Sequence, residues 1–292
     1  MLFDGAGFAV INNQETYMNS EYTSEYVDWK AEVPVIRYRA LDALGCVEHG
    51  FSTRLGGVSK GIYKSMNLSY TRGDNKAHVD ENFRRFCSAV HMDKNKIVST
   101  DQTHTTNVRV VTEADAGHGI LRPKTHFNVD GQVTNVPGLP LISYHADCVP
   151  LFFVDPVKKA IGLTHSGWRG TAGRIGARTV EVMAKNYGSE PRDIVGVIGP
   201  SICQSCYEVS REVAEVFEKE FQMSDMLMYA KGNDKYQLNL WEANRQVMLD
   251  AGMLPENITI THWCTGCHPE LLWSHRKTGN ERGSLAAFLC LK

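Results

Sequence analysis

The chain has 292 residues, of which 42% are hydrophobic and 22% are charged, and its formal net charge is −2. These values fit one large or two small globular domains, and they exclude a global electrostatic attraction to nucleic acid or to an anionic membrane. The sequence has no apolar run of about 18 residues that could span a membrane, and the N-terminal segment lacks the basic and apolar regions of a signal peptide. We therefore expect a cytoplasmic protein whose eight cysteines are reduced.

Strand and helix signals follow one another irregularly along the chain. Residues 1–35 form a predicted strand-rich N-terminal extension, and no repeat or long linker divides the remainder, so we expect a single domain over 1–292. Apolar spacing of the helical type predicts four helices, over 75–92, 171–187, 210–221 and 239–251. Predicted strands outnumber these helices, and several are linked by hairpins. This pattern favours an α+β fold with mixed sheets over a doubly wound sheet, and no glycine-rich dinucleotide fingerprint is present.

One segment, HADCVPLFFVDPVKKAIGLTHSGWRGT from His145 to Thr171, predicts a β-hairpin. Its strands cover 149–154 and 160–164, and the sequence Asp-Pro-Val-Lys between them suits a tight turn. A turn centred between Pro156 and Val157 places Cys148 opposite His165 on one face, with Cβ atoms about 4.5–5.5 Å apart. A slip of one residue would put the two side chains on opposite faces.

A facing cysteine and histidine allow three interpretations. They can be two ligands of a metal site that needs a further ligand, or a thiolate–imidazolium dyad for nucleophilic attack, or a buried cysteine beside a capped histidine. The residues that follow lead into a helix predicted to begin at Thr171, where free N–H groups and the helix dipole attract anions. With the charges of Arg169 and Arg174, this helix start predicts a pocket for a phosphate or a carboxylate.

Asp147 comes directly before Cys148 and would point away from it on a regular strand. We expect either a structural carboxylate at the start of the strand or a carboxylate that orients a ligand histidine or a substrate hydroxyl.

Several motifs together resemble those of the YfiH/YlmD family, whose members are called multicopper polyphenol oxidoreductases (laccases) and also purine nucleoside phosphorylases. The motifs are FSTRLGGVS, HADCVPLFFVD, IGLTHSGWRGT, GPSICQSCYEV and SHRKTGNERGS, and the resemblance runs from about residue 47 to the C-terminus. It implies a layered α/β/β/α sandwich related to the catalytic domain of bacterial toxin deamidases. It also implies a zinc site formed by His104, Cys148 and His165, in which three protein ligands leave one coordination position open.

The same resemblance implies roles for two arginines and a set of activities. Arg54 would bind phosphate or stabilise the transition state, and Arg276 would contact the substrate, in addition to Arg169 and Thr171. The implied activities are phosphorolysis of adenosine, inosine and guanosine, cleavage of S-methyl-5′-thioadenosine and deamination of adenosine. The partners are then purine nucleosides and phosphate, with no nucleic acid and no membrane, and the chain acts as a monomer or a homodimer.

Three alternatives remain open at this point. In a metal-free hydrolase, Cys148 would be the nucleophile and His165 the base, acting on an amide such as that of a cell-wall precursor. In a non-catalytic module, zinc would only stabilise the fold, and a fourth protein ligand would be expected. Laccase chemistry needs clustered imidazoles, whereas the sequence contains no H-x-H motif; copper could still occupy a Cys/His site in vitro.

Two C-x-x-C pairs remain, Cys203/Cys206 and Cys264/Cys267, with 57 residues between them. Four-cysteine zinc sites usually have about 15–20 residues between the pairs. The sequence therefore favours thiols that are buried or redox-inert over a shared zinc site.

Overall fold

The structure is a computed structural model that describes residues 24–222 and 224–292. Residues 1–23 of the predicted extension lie outside the described residues, and its remainder carries one strand and the first residue of the next. No helix in the described ranges combines the length and the apolar character that crossing a membrane would require.

The described residues form fifteen strands and eight α-helical segments. The strands are β1 (Glu25–Asp28), β2 (Val35–Tyr38), β3 (Val47–Ser52), β4 (Val98–Ser99), β5 (Val108–Val110), β6 (Gly131–Thr134), β7 (Leu141–His145), β8 (Val149–Asp155), β9 (Ala160–Ser166), β10 (Val195–Ile198), β11 (Glu208–Ser210), β12 (Met228–Gly232), β13 (Lys235–Leu238), β14 (Ile258–Ile260) and β15 (Leu285–Leu291). The helices are α1 (Arg39–Asp42), α2 (Lys76–Ala89), α3 (Trp168–Ala172), α4 (Ile175–Tyr187), α5 (Arg211–Glu220), α6 (Ser224–Leu227), α7 (Leu240–Asp250) and α8 (His275–Thr278).

Two six-stranded mixed sheets dominate the fold. The first has the order β1-β2-β3-β15-β7-β4, with its parallel pair at the β4 edge, and the second has the order β14-β10-β8-β9-β6-β5, with parallel pairs at both edges. A smaller antiparallel sheet has the order β11-β13-β12. The predicted α+β class with mixed sheets is confirmed.

The hydrophobic core divides into three clusters that define the layers. Between the two large sheets, Phe51 and Leu289 of the first sheet share a cluster with Phe152 of the second. On the outer face of the first sheet, α2 contributes side chains such as Phe83. On the outer face of the second sheet, α4 contributes side chains such as Met183. The layers are therefore ordered α/β/β/α, as the family resemblance implies.

The helix that follows β9 differs from its prediction. The sequence predicts one helix from Thr171 to Tyr187, whereas α3 begins at Trp168 and α4 at Ile175. Arg174 separates them because its backbone is left-handed, with φ at 60°. The predicted end is confirmed, since Gly188 caps α4 with φ at 69°, a conformation that favours glycine.

The predicted register of the β8–β9 hairpin is also wrong. Asp155 pairs with Ala160, so the loop has four residues and His165 pairs with Pro150 rather than with Cys148. The Asp155 carboxylate accepts hydrogen bonds from the amides of Val157 and Lys158, which stabilises the longer loop. Because the shift is two residues, Cys148 stays on the same side of the hairpin as His165.

Candidate active site

Three side chains that the sequence analysis singled out meet in one cluster. The ligand atoms of His104, Cys148 and His165 all lie within 4.8 Å of one another. Cys148 Sγ lies 3.7 Å from His104 Nε2. Zinc bonds of about 2.3 Å to sulfur and about 2.05 Å to nitrogen, at a tetrahedral angle, require a separation of about 3.6 Å between these atoms. The three residues therefore fit a tetrahedral metal ion.

The backbone around the cluster is shaped to bring these residues together. Cys148 lies just before β8, after Asp147, whose φ is 85°, and His104 is itself left-handed, with φ at 65°. Gly167, at the end of the hairpin, passes directly beneath both ligands. A Cβ atom on Gly167 would lie 2.6 Å from His104 Cδ2 and 3.1 Å from Cys148 Sγ, so only glycine leaves room for the cluster.

Asp130 is the residue that holds two of the ligands in place. Its buried carboxylate lies 2.8 Å from His165 Nδ1 and accepts hydrogen bonds from the amides of Thr103, His104 and Thr105. Because Nδ1 of His165 is engaged by the carboxylate, Nε2 is the nitrogen left to bind a metal ion. One carboxylate thus fixes the orientation of His165 and the loop that carries His104.

The expected candidate for this orienting role, Asp147, has other partners. Its carboxylate accepts hydrogen bonds from Thr265 Oγ1 and from the backbone amide of Arg276, both at 2.6 Å. Of the two roles predicted for Asp147, these contacts match the structural one.

Electrostatic interactions stabilise the charged forms of the cysteine and of its histidine partner. Burial raises the pKa of the Cys148 thiol, but the charge of His165 and hydrogen bonds from both histidines outweigh it and lower this pKa to about 6. Burial lowers the pKa of His165, but the Cys148 thiolate and Asp130 outweigh it and raise this pKa to about 9. Without a metal ion, the two side chains form a thiolate–imidazolium pair at neutral pH.

The cluster lies in the wall of a cavity of about 430 Å³. Two tyrosines, Tyr70 and Tyr144, give the cavity aromatic surface, and three cationic side chains also line it: Arg72, Lys124 and Arg282. The volume is within the range of about 300–1,000 Å³ typical of small-molecule sites.

Arg282 is an unusual member of this wall because it is buried and incompletely paired. Its Nη1 donates a hydrogen bond to the carbonyl of Gly283, whereas its buried Nε has no hydrogen-bond partner. Burial and the charge of Arg72 together lower the pKa of Arg282 to about 10. An anion in the cavity would reduce the repulsion between the two arginines.

The four residues predicted to bind phosphate or substrate are not among the described residues that line this cavity. The Arg54 guanidinium donates to the carbonyls of Pro269 and Lys64 and lies 3.7 Å from the centre of the Trp273 ring. Thr171 is fully buried within α3, where its hydroxyl donates to the carbonyl of Gly167.

The other two, Arg169 and Arg276, lie near Tyr207. Arg276 donates to the carbonyl of Glu208, and its guanidinium is 5.0 Å from the centre of the Tyr207 ring. Burial raises the pKa of Tyr207 well above its usual value, the Cys148 thiolate raises it further, and the positive charges of Arg276 and Arg169 oppose that rise. Both arginines are therefore close enough to Tyr207 to act on it electrostatically.

The chain is similar to known proteins in sequence and in fold. Residues 48–292 match the family described as multi-copper polyphenol oxidoreductase laccase. The chain belongs to this family. Purine nucleoside phosphorylase YlmD of Bacillus subtilis is 36% identical over 83% of the chain and 88% of its own length.

Two further relatives of this laccase-type family are informative. Adenosine deaminase RL5, from an unknown prokaryotic organism, is 33% identical over 85% of the chain and 97% of its own length. The crystal structure of YlmD from Geobacillus stearothermophilus superposes with a TM-score of 0.86 at 30% identity, covering 92% of the chain and 99% of that structure. The resemblance to YfiH/YlmD proteins and the fold that it implies are confirmed.

Proposed function

We propose that this protein is a zinc-dependent purine nucleoside phosphorylase. The observation that carries the proposal is the placement of a three-ligand cluster, His104, Cys148 and His165, in the wall of a cavity that also holds three cationic side chains. Relatives named purine nucleoside phosphorylase support it.

The ligand set supports zinc over copper. One thiolate and two imidazoles suit tetrahedral zinc, and the distance between Cys148 Sγ and His104 Nε2 fits that geometry. Multicopper centres need several clustered imidazoles. Among the described residues, potential metal ligands form two groups, and neither contains more than two histidines.

The cationic wall supports phosphate as the second substrate. Arg72, Lys124 and Arg282 line the same cavity as the cluster. In phosphorolysis a phosphate oxygen attacks C1′ of the ribose while the bond from C1′ to the purine breaks and its electron pair leaves with the base. The three cations would hold the phosphate dianion in position for this attack, which removes much of the entropic cost of bringing two substrates together.

The remaining groups of the cavity would position the nucleoside. Tyr144 and Tyr70 offer flat apolar surface for a purine, and Gln102 is fixed by two hydrogen bonds to the backbone of Tyr144. A zinc ion bound by the cluster would supply a Lewis acid with one open coordination position. We extend the proposal to adenosine, inosine, guanosine and S-methyl-5′-thioadenosine as substrates. We also propose that the chain forms a single domain and acts in the cytoplasm.

Adenosine deamination is a second activity that we propose for the same site. A relative named adenosine deaminase covers most of the chain, and a set of three protein ligands leaves one coordination position open. One water molecule would attack C6 of the adenine ring, the bond from C6 to the amino group would break, and ammonia would leave to give inosine.

A metal-free cysteine hydrolase is the alternative that the geometry also favours. Cys148, His165 and Asp130 have the mutual contacts of a nucleophile, a base and an orienting carboxylate. Iodoacetamide distinguishes the two functions, because a thiolate bound to zinc is a weakened nucleophile. We expect slow alkylation of Cys148 in the purified protein and faster alkylation after chelation; rapid alkylation of active protein without loss of metal would favour the hydrolase.

The experiment that tests the proposed function is incubation of inosine with zinc-replete protein, with and without phosphate, followed by chromatography. We expect hypoxanthine release that requires phosphate and is lost in Cys148→Ala. Cys46→Ala is the matched control, since Cys46 belongs to neither potential metal-binding group. Release that does not require phosphate, or that survives in Cys148→Ala, would contradict the proposal.

A further inference from the structure

We propose that Cys203, Cys206, Cys264 and Cys267 bind a second, structural zinc ion that stabilises the backbone behind the active site. The Sγ atoms of all four cysteines lie within 4.8 Å of one another. This site is separate from the cluster of the proposed function, and the inference does not depend on the reaction catalysed there.

The sulfur–sulfur distances match a tetrathiolate site. Cys203 Sγ lies 3.8 Å from Cys267 Sγ, and Cys206 Sγ lies 3.5 Å from Cys267 Sγ. Four sulfur atoms arranged tetrahedrally at about 2.3 Å from zinc would be separated by about 3.8 Å. Four protein ligands leave no open position, as is usual for a structural zinc ion.

The backbone brings the two C-x-x-C segments together despite their separation in sequence. Ser201 and Cys264 form a parallel β-bridge, in which the amide of Ser201 donates to the carbonyl of Trp263 and the amide of Thr265 donates to the carbonyl of Ser201. The amide of Cys203 donates to Cys264 Sγ at 3.2 Å. Such a bond from a backbone amide stabilises the negative charge of a metal-bound thiolate.

Gly266 shows how closely the two segments approach. A Cβ atom at this position would lie 3.1 Å from both Cβ and Sγ of Cys206. A side chain at this position would crowd Cys206, so glycine favours the close approach of the two segments. A set of unrelated buried thiols would not require this contact.

Two disulfide bonds are the competing explanation, and the distances disfavour them. A disulfide needs sulfur atoms about 2.05 Å apart, whereas the four cysteines are free in the structure and Cys267 Sγ lies 3.5 and 3.8 Å from the sulfur atoms of Cys206 and Cys203. Cys267 is exposed and Cys264 is buried, so the group has an access route from solvent and a protected interior.

The proposed site is connected to the active-site cluster by Asp147. Thr265, between Cys264 and Cys267, donates to the Asp147 carboxylate, and the amide of Ile202 donates to the Asp147 carbonyl at 3.0 Å. Asp147 directly precedes Cys148. A zinc ion that fixes both C-x-x-C segments would therefore hold the backbone on which Cys148 depends.

The test uses the variant His104→Ala, which removes one ligand of the active-site cluster and leaves the four cysteines unchanged. We expect about two zinc ions per wild-type chain and about one per variant chain by native mass spectrometry, and X-ray absorption of the variant should give four sulfur ligands at about 2.3 Å. No tightly bound zinc in the variant, or a first shell containing nitrogen, would overturn the proposal.

A second variant provides the reciprocal measurement. Cys203→Ser combined with Cys206→Ser should lose one zinc ion, whereas Cys46→Ser should keep both. If the double variant does not fold, the absorption measurement on His104→Ala still decides the question. An intact mass under denaturing conditions that is about four hydrogen atoms too low would show two disulfide bonds and would also overturn the proposal.

Discussion

Replacing Asp130 with asparagine should weaken metal binding at the active site with little change in side-chain volume. The carboxylate accepts hydrogen bonds at both oxygens: Oδ1 faces the His104 amide and His165 Nδ1, and Oδ2 faces the amides of Thr103 and Thr105. An asparagine amide offers one oxygen, so either the amides of Thr103 and Thr105 or the amide of His104 must lose an acceptor. These loop hydrogen bonds are only part-buried, so at about 0.5–1.5 kcal/mol for each bond lost, the loss of stability is about 0.5–3 kcal/mol.

The effect on the metal follows from the tautomer of His165. In Asp130→Asn, the new N–H₂ group can donate to His165 Nδ1, which moves the imidazole proton to Nε2 and removes the lone pair that binds the metal ion. Loss of such a supporting carboxylate typically costs about 10–100-fold in metal affinity, which is about 1.4–2.7 kcal/mol.

Competition with a chromophoric zinc chelator measures this change. Asp155→Asn is the matched control because Asp155 is also buried, and it accepts both of its loop hydrogen bonds through Oδ1 alone. An asparagine there can keep both bonds, so zinc affinity should stay at the wild-type value. Zinc affinity in Asp130→Asn within about twofold of wild type would refute the reasoning.

Three further predictions concern protons, space and charge at the same site. Between about pH 6 and pH 9, metal binding to the thiolate–imidazolium pair should release about one proton, because His165 must become neutral to bind the metal ion. Metal affinity should therefore rise about tenfold per pH unit in that window and level off above it. Calorimetry in buffers of different ionisation enthalpy measures the number of protons released. Gly167→Ala should lower metal affinity and activity at least tenfold, because the added Cβ would displace His104. Gly170→Ala should be tolerated, because the atom nearest to its added Cβ would be 3.4 Å away. Equal activities of the two variants would contradict this steric argument. Arg72→Gln should raise the KM for phosphate about tenfold with little change in thermal stability, because Arg72 lines the cavity. Arg54→Gln should lower the melting temperature and leave this KM unchanged, because Arg54 binds backbone carbonyls. The opposite result would assign phosphate binding to Arg54.

Local signals in the sequence are enough to pair two of the three proposed metal ligands. The predicted turn between β8 and β9 is wrong because the Asp155 carboxylate stabilises a four-residue loop, a choice that turn statistics do not determine. The relation between Cys148 and His165 survives because an even shift preserves the face of a strand. The third ligand, His104, comes from family resemblance, since nothing near it in sequence points to Cys148.

Residues whose role depends on strand pairing escape prediction from local patterns. Asp130 comes just before β6, and it reaches His165 because β6 pairs with β9, with Gly131 opposite Thr164. No local pattern around Asp130 reveals that pairing. Arg72 and Lys124 lie on loops, and their part in the cavity depends on how those loops fold over the first sheet.

The grouping of the four cysteines is hidden in the sequence for a similar reason. The spacing of 57 residues between the two C-x-x-C pairs is far from that of a zinc ribbon. The pairs meet because β10 and β14 are parallel neighbours, and the chain leaves both strands in the same direction. Spacing in sequence therefore says little about a site that is assembled by a sheet.

The most direct test of the central claim is to follow inosine and phosphate together by phosphorus NMR and chromatography, in the wild type and in His104→Ala. The wild type should form ribose 1-phosphate and hypoxanthine in equal amounts, phosphate should fall by the same amount, and the variant should form neither product. Formation of free ribose without consumption of phosphate, or an unchanged rate in His104→Ala, would contradict the assignment of metal-dependent phosphorolysis to this cavity.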